Sequence, residues 1–473
     1  MKKEISIKKH DIKLILFIFI ISFLLRLFFI TQSPLIYGDD GPYYLIHTEN
    51  TLNGTEYNFE SIIFYFFSLF AIIFNDLTLG IKIAASLLSA AIVVPIFLIV
   101  HHITKDKDSA FIAALLATMS PINYNILAQT LKEVGGLLIG TTLIYFVLKS
   151  FDGKTKSRQN ISLIFILTIL LNLIHLSSTF YFISFISLSL LIIFFYTKKI
   201  KNDESGKRSL FILGVILSAI LLSFLLRYLL QSHISIENFL SFQDFFRTTI
   251  NESSFSFYTI HYLYIFYLPF IFIFLFNIYS SGSIYKHQIL LLVWLLISFI
   301  LSSSLFISSD WSWRFARMSH ILMIILASVT YPSIRRWNGF YAFLLLTTLL
   351  IWESATFISS GLVFGPIISE SEYQFLVETK SLLPKNAVII SECGVYSAFP
   401  CKEYWLVYAG FVIKNKNEIT DQDDPYLFVE IPLDSKYNYY YSRYNFNFSL
   451  SNCGECGEIV SSFGRFAFVK FVS

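Results

Sequence analysis

The chain has 473 residues, of which 55% are hydrophobic, 18% are aromatic and only 14% are charged. Soluble domains carry about 25% charged residues, so this composition excludes an ordinary soluble protein and predicts a membrane protein. The net charge of +3 gives no sign of a nucleic-acid partner, and the length suits one membrane domain and one smaller domain.

Eleven apolar runs can supply helices that cross a hydrocarbon core about 30 Å thick, once their flanking residues are included. In chain order, they are 14–30, 79–100, 110–120, 134–148, 161–176, 180–196, 210–230, 262–278, 289–307, 321–331 and 340–351. A further apolar stretch at 62–74 is shorter and suits an interfacial or re-entrant helix better than a span.

Clusters of Lys and Arg predict which helix ends face the cytoplasm. The basic segments are 2–13, 105–107, 149–158, 198–208, 286 and 335–336. They alternate with loops that carry few basic residues, and the alternation holds only if 62–74 does not cross the membrane. The prediction is a cell-membrane protein with a cytoplasmic N-terminus and a C-terminal domain outside the cytoplasm.

The tail from about residue 358 is solvated rather than membrane-like. It has a helix-like segment at 370–383 and strand-like segments at 387–391, 426–431 and 466–471. This pattern predicts a small α/β domain. We therefore divide the chain into a mainly α transmembrane bundle at 1–357, with a first external loop at 32–78, and a soluble α/β domain at 358–473.

All four cysteines lie in this tail, at Cys393, Cys401, Cys453 and Cys456. On an oxidising outer face, two disulfides are the leading interpretation. A four-thiolate zinc site is the alternative, because two spaced pairs also suit tetrahedral coordination. Redox catalysis by the Cys-Gly-Glu-Cys run is a third.

Two adjacent carboxylates, Asp39 and Asp40, follow the first span in the run Tyr-Gly-Asp-Asp-Gly-Pro-Tyr-Tyr. Gly and Pro predict a tight turn that holds these acids at the membrane surface. Adjacent carboxylates can bind a divalent cation such as Mg²⁺ or Mn²⁺, or one can be the general base for an acceptor hydroxyl. The alternative is a solvated turn without a chemical role.

Further polar residues lie at the same predicted face. Lys132 and Glu133 stand between the third and fourth spans, and Arg314 and Arg317 stand between the ninth and tenth. The spacing of the arginines predicts that they share a helix face. Guanidinium groups at this depth suit a lipid phosphate, whereas the alternative is an interfacial anchor within an aromatic belt.

Ionisable residues at membrane depth are costly to bury and are therefore candidates for function. Arg227 lies in the outer half of its span, and His175 lies near the turn between two spans. His175 is either a hydrogen-bonded structural residue or a group that transfers protons and contacts phosphate. Arg26 and Glu353 lie near outer helix ends, where snorkelling to the interface explains them.

The first loop, with Asp39-Asp40-Gly-Pro-Tyr-Tyr, Leu-Asn-Gly at 52–54 and the short apolar helix at 62–74, resembles that of type C membrane glycosyltransferases. These enzymes use polyprenyl-phosphate-linked sugars. Residues 129–133, His175 with Leu-Ser-Ser-Thr after it, and Trp-Arg-Phe at 313–315 also resemble archaeal and bacterial members. The resemblance implies the predicted layout, including a short helix that does not cross.

The resemblance also implies roles for residues. Asp39 would be the catalytic base or a metal ligand, with Asp40 beside it and Glu133 as a further acid. Arg314 or Arg317 would bind the lipid phosphate of the donor. Lys132, His175 and Arg227 are further donor-binding candidates, from their predicted positions rather than from the resemblance. The implied reaction is an inverting transfer, in which an acceptor hydroxyl attacks the sugar and polyprenyl phosphate leaves. Implied partners are the donor, a glycan, lipid or protein acceptor, and membrane lipids.

Three other functions remain open from the sequence. Oligosaccharyltransferase subunits resemble this layout, but the tail has no Trp-Trp-Asp motif, and the nearest text is Tyr404-Trp405. Transfer of a single sugar is therefore preferred to transfer of a whole glycan to asparagine. A secondary transporter would place polar groups near the membrane midplane, and a non-enzymatic envelope scaffold would leave the first-loop acids unexplained.

Overall fold

The fold is given by a computed structural model, which describes residues 9–38, 40–54, 61–151, 157–199, 203–230, 265–281, 285–303, 309–363, 365–366, 368–384, 387–390, 403–414, 424–430, 456–463 and 466–471. The chain divides into two compact units. The bundle unit is Met1–Gln32 with Thr48–Phe364, and the sheet unit is Ser33–His47 with Gly365–Ser473.

The first part of the chain is helical. Its helices are α1 (Lys9–Ile30), α2 (Gly41–Asn53), α3 (Ile63–Phe74), α4 (Leu77–Ala91), α5 (Val93–Thr104), α6 (Lys107–Thr118), α7 (Pro121–Gln129), α8 (Leu131–Ser150), α9 (Ser157–Ile174), α10 (Leu176–Lys199), α11 (Asp203–Leu230), α12 (Leu268–Ser281), α13 (Lys286–Leu301), α14 (Ser309–Trp337) and α15 (Gly339–Val363).

The protein is a multi-pass membrane protein. Within the described residues, seven helical segments are long and apolar enough to cross a membrane, and the bent pair α6–α7 makes an eighth. Three shorter apolar helices, α9, α12 and α13, match the remaining predicted spans, and α3 matches the stretch expected not to cross. Each of the eleven predicted spans thus corresponds to a helix or a helix pair.

The predicted basic segments converge at one end of the bundle. Nη1 of Arg335, at the end of α14, lies 2.7 Å from Oδ2 of Asp108, at the start of α6. Nζ of Lys286, at the start of α13, donates to Oγ of Ser205, near the start of α11, at 2.6 Å. We call this the basic end, and the opposite end, where α1, α7 and α9 end and α4, α8 and α14 begin, the site end.

Helix α3 begins and ends at the site end. Oγ of Ser61 donates to the carbonyl of Ile174, the last residue of α9, at 2.8 Å. At its other end, Asn75 adopts a left-handed conformation with φ of 50° and turns the chain into α4. Because both neighbours meet α3 at the site end, α3 does not cross the bundle, as the basic segments predicted.

A glycine allows α3 to pack closely against α4. A Cβ atom at Gly80 would lie 2.5 Å from the backbone of Ala71. Only a residue without a side chain fits this approach, so the α3–α4 hairpin depends on glycine at this position.

Arg26 fills the break between α6 and α7, where the chain bends by 41°. It is fully buried. Its guanidinium donates to the carbonyls of Ala117 and Thr118 at 2.9 and 3.2 Å, and to Oγ of Ser89 at 2.8 Å. The snorkelling interpretation of Arg26 was therefore wrong. The last carbonyls of a helix lack partners within it, and the five N–H donors of an arginine can satisfy several at once.

The sheet unit contains a five-stranded mixed sheet, so the predicted α/β domain is confirmed. The strands lie in the order β2-β1-β3-β5-β4, with β1 parallel to β2 and β3, and β5 antiparallel to β3 and β4. The elements are α16 (Glu370–Leu382), β1 (Ala387–Ile390), α17 (Glu403–Tyr408), β2 (Val412–Lys414), β3 (Asp424–Glu430), β4 (Cys456–Phe463) and β5 (Phe466–Phe471).

The helix and the three strands predicted in the tail are all present, and the pattern missed β2 and β4. Helix α16 begins at a capping box, in which Ser369 and Glu372 each accept from the other's backbone N–H. Cys456 is the first residue of β4. Cys393, Cys401 and Cys453 lie outside the described residues, so disulfides and zinc stay predictions.

We expect Gly80→Ala to lower the free energy of unfolding by about 1–3 kcal/mol, because the new methyl group would force the two backbones apart. The matched control is Gly214→Ala in α11, where a Cβ atom would meet no atom within 4 Å. Alanine there should be neutral or stabilise by up to about 1 kcal/mol. Thermal unfolding in detergent measures both variants, and equal effects would contradict the close α3–α4 contact.

Candidate functional site

An ion pair between α8 and α14 is the main polar contact at the site end. Nη2 of Arg317 lies 3.2 Å from each carboxylate oxygen of Glu133. Both side chains are buried, with 3% and 1% of their surfaces exposed. Glu133 lies in the first turn of α8, where the helix dipole favours a negative charge.

The turn between α7 and α8 completes the surroundings of this pair. Oγ1 of Thr130 donates to Oε2 of Glu133 at 3.0 Å. Nη1 of Arg317 lies 3.4 Å from Oδ1 of Asn125 and 3.5 Å from Oε1 of Gln129. The fold thus joins two polar segments that are far apart in the sequence. Arg317 and Glu133 neutralise each other. The geometry therefore supports a structural ion pair between α8 and α14 better than a catalytic role for Glu133 and a phosphate contact for Arg317.

Two other predicted cations lie at the site end with part of their surface exposed. The guanidinium of Arg314 lies 5.9 Å from the ring centre of Trp311, and Nζ of Lys132 lies 5.2 Å from that of Phe64. The three-residue spacing predicted that Arg314 and Arg317 both face a lipid phosphate, whereas the structure gives them different surroundings. Arg317 is buried in an ion pair, and Arg314 is half-buried beside an aromatic ring.

His175 lies at the junction of α9 and α10 and is half-buried. Its Nδ1 lies 2.8 Å from Oγ of Ser178 and 3.1 Å from Oγ of Ser177. The backbone N–H of Ser178 also approaches Nδ1, at 3.4 Å. These contacts are those of a helix-capping residue, so they support the structural interpretation of His175. Its role in phosphate contact stays a prediction.

The first-loop turn lies in the sheet unit. The backbone N–H of Gly41 donates to the carbonyl of Gly38 at 3.2 Å, and Gly38 has a φ of 80°. The carbonyl of Asp40 accepts from the N–H of Tyr44 at 3.2 Å at the start of α2. The tight turn predicted from glycine and proline is therefore present. Nearby, burial raises the pKa of Tyr37, so its hydroxyl stays protonated at neutral pH.

Besides the three cysteines already named, two predicted site residues fall outside what the structure describes. These are Asp39 and the side chain of Arg227, whose backbone lies in the last turn of α11. Among the described side chains, no group of three or more His, Cys, Asp or Glu residues is placed to hold a metal ion. Binding of Mg²⁺ or Mn²⁺ by the Asp39–Asp40 pair therefore stays a prediction.

The sequence analysis missed a second buried cluster. The hydroxyl of Tyr267 donates to Oε1 of Glu353 at 2.6 Å, and Nε2 of His320 lies 3.3 Å from both carboxylate oxygens. All three side chains are fully buried. Glu353 therefore does not snorkel, and that interpretation was wrong. The sequence signal for this cluster was Glu353 itself, since an ionisable residue at membrane depth requires a polar partner.

No protein-family model and no curated protein sequence matches the chain. Solved structures do match. The structure of ArnT from Cupriavidus metallidurans bound to undecaprenyl phosphate aligns with 97% of each chain, with a TM-score of 0.60 and 12% identity. The chain has the fold of type C membrane glycosyltransferases.

Two archaeal structures from Archaeoglobus fulgidus match the same fold. The oligosaccharyltransferase in complex with zinc and sulfate has a TM-score of 0.57 and 15% identity over 85% of this chain. AglB in complex with an inhibitory peptide and a dolichol-phosphate has a TM-score of 0.58 and 14% identity over 86% of it. The chain spans 62% and 64% of the lengths of these two proteins. The resemblance inferred from the first loop is thus confirmed for the fold.

We expect Arg317→Met to lower the free energy of unfolding by about 3–5 kcal/mol, because it leaves Glu133 buried without its cation. Adding Glu133→Gln in the same chain should recover part of that loss, because no uncompensated charge remains. Thermal unfolding of the single and double variants in detergent checks this. A double variant as unstable as the sum of the two single losses would contradict the ion pair.

Proposed function

We propose that this protein is a membrane glycosyltransferase that transfers a sugar from a polyprenyl-phosphate-linked donor to an acceptor. The observation that carries the proposal is the fold match over 97% of both chains to a protein solved with undecaprenyl phosphate. The acidic first loop supports it, because a pair of carboxylates is suited to taking the proton of an acceptor hydroxyl.

The reaction balances with groups that the chain supplies. The acceptor oxygen forms a bond to the anomeric carbon from the face opposite the phosphate, and the bond from that carbon to the phosphate oxygen breaks. Polyprenyl phosphate leaves with the bonding electrons, and the configuration inverts. Asp39 or Asp40 takes the acceptor proton, and a bound Mg²⁺ or Mn²⁺ ion would add positive charge next to the leaving phosphate.

The geometry of the site end supports a choice among the predicted phosphate ligands. Arg314 and Lys132 are partly exposed, whereas the charge of Arg317 is neutralised by Glu133. We therefore assign the phosphate contact to Arg314, with Lys132 as the second cation, and assign Glu133 and Arg317 to holding α8 and α14 together. His175 and Arg227 keep their predicted place in donor binding.

We favour transfer of a single sugar over transfer of a whole glycan. The two archaeal matches support transfer of a whole glycan. The sequence has no Trp-Trp-Asp run, however, which is the mark of acceptor recognition in that subfamily. The acceptor, whether glycan, lipid or protein, would approach from the membrane face that carries the site end.

We expect Asp39→Asn and Asp40→Asn each to lower the rate of transfer from polyprenyl-phosphate-linked sugars by about 10²-fold or more, since the amide cannot take a proton. Arg314→Gln should lower the rate of transfer from the same sugar donor by about 10²-fold, because a cationic hydrogen-bond partner of the developing phosphate charge is lost. Initial rates in membranes, normalised to protein level, provide the measurement.

The control for the transfer assay is Arg335→Gln at the basic end. Arg335 is exposed and pairs with exposed Asp108, so its loss should leave the rate unchanged. Full activity of both Asp variants would contradict the assignment of the base. Absence of transfer by wild type from every donor tested would contradict the glycosyltransferase function and favour a transporter or an envelope scaffold.

We also propose that the basic end faces the cytoplasm, because Lys and Arg clusters are retained on that side during insertion. A tag fused before α1 should then resist protease added to intact cells and be cut in inverted vesicles. A tag after β5 should behave in the opposite way. Cutting of both tags from the same side would contradict the odd number of crossings.

A further inference from the structure

The start of α14 contacts three other helices through polar side chains. Arg317 contacts α8, Oγ of Ser319 lies 3.0 Å from the hydroxyl of Tyr181 in α10, and His320 contacts Glu353 in α15. Successive residues of a helix are rotated by about 100°, so Arg317 and His320 lie about 60° apart on one face, and Ser319 leaves α14 from another side. Polar contacts of residues 317–320 therefore join α14 to α8, α10 and α15.

The contact with α15 depends on a cluster that must be electrically balanced. A carboxylate buried in a membrane is costly unless a positive charge or a proton compensates it. Glu353 and His320 are both fully buried, and Nε2 of His320 lies 3.3 Å from the carboxylate, close enough to compensate it. Tyr267 adds a hydrogen bond from the residue before α12.

The position of His320 depends on Glu353. Within the described residues, Nδ1 of His320 has no hydrogen-bond partner, and its Nε2 faces the two oxygens of Glu353. The ring of Tyr267 lies edge-on to the imidazole, with the ring centres 5.4 Å apart. Removing the carboxylate would therefore leave the imidazole without a polar contact to α15.

Helix α15 is buried to a smaller extent than α14. In the apolar stretch of each helix, 22% of α15 is buried, against 83% of α14. Contacts between apolar side chains are not directional, so they do not fix the rotation of a helix as a hydrogen bond does. Among the described residues, the carboxylate of Glu353 thus provides a directional link between α14 and α15.

We propose that Glu353 is a positioning residue that, through His320 and Tyr267, fixes the rotation of α14 and thereby places Arg314 for the donor phosphate. Arg314 precedes His320 by six residues, which is about 9 Å along the helix axis. The part that concerns Arg314 and the donor rests on the proposed glycosyltransferase function. The part that concerns the rotation of α14 does not.

Hydrogen exchange tests the rotation without any enzyme assay. In Glu353→Gln, the backbone amides of residues 311–320 should exchange about tenfold faster, since the local opening of α14 becomes easier. Tyr267→Phe removes one hydrogen bond only and should give a smaller increase, which keeps a measurable variant available if Glu353→Gln folds poorly. The matched control is Leu349→Ala, which removes buried apolar contacts one turn away in α15.

The expected result is faster exchange at 311–320 in the cluster variants than in Leu349→Ala, compared at the same distance below each melting temperature. His320→Gln combined with Glu353→Gln should be no worse than Glu353→Gln alone, because the two residues act as a unit. Exchange at 311–320 that is unchanged in Glu353→Gln, or equal to that of Leu349→Ala, would overturn the positioning role.

Steady-state kinetics test the link to the donor. Glu353→Gln should raise KM for the polyprenyl-phosphate-linked donor about tenfold with a smaller change in kcat, whereas Leu349→Ala should change neither. An unchanged KM together with faster exchange would overturn the link to Arg314. If wild type transfers no sugar, the proposed function has failed, and the exchange result still decides whether Glu353 fixes α14.

Discussion

Water is excluded from the interior of a bilayer, so each buried charge and each unpaired backbone group of the bundle must find its partner inside the protein. The rest of the architecture depends on this constraint. The first turns of α14 meet it with Arg317 against Glu133, His320 against Glu353, and Ser319 against Tyr181. These contacts are directional, whereas the surrounding leucines, isoleucines and phenylalanines only require burial.

The same constraint explains the position of Arg26. The bend at α6–α7 exposes backbone carbonyls that a continuous helix would satisfy, and proline at the first position of α7 supplies no N–H. Arg26 reaches these carbonyls from α1 and holds Ser89 of α4 at the same time. Unpaired carbonyls at a helix break would be costly in a lipid environment. Here Arg26 satisfies them and joins α1, α4 and α6. The bend also sets the direction in which α7 leads to the turn before Glu133.

The proposed chemistry needs a base, positive charge near a leaving phosphate, and a rigid support for that positive charge. The support is α14, which carries Arg314 and Trp311 and is joined to α8 by the buried ion pair of Arg317 with Glu133. The first-loop turn offers the carboxylates, with Gly38 in a conformation that favours glycine. A preorganised site of this kind lowers a barrier because its dipoles are already oriented when charge develops.

The sequence by itself determined the membrane class, the positions of the spans, the non-crossing α3 and the α/β character of the tail. These follow from hydropathy over about 20 residues and from the distribution of Lys and Arg, both of which are local properties. It also located most of the polar residues of the site end. Only the tertiary structure decided which of them are paired. No pattern in the sequence indicates that Arg317 meets Glu133 across 184 positions, or that His320 meets Glu353. The pairing depends on helix rotation and neighbour order, which arise from packing between segments far apart in the chain.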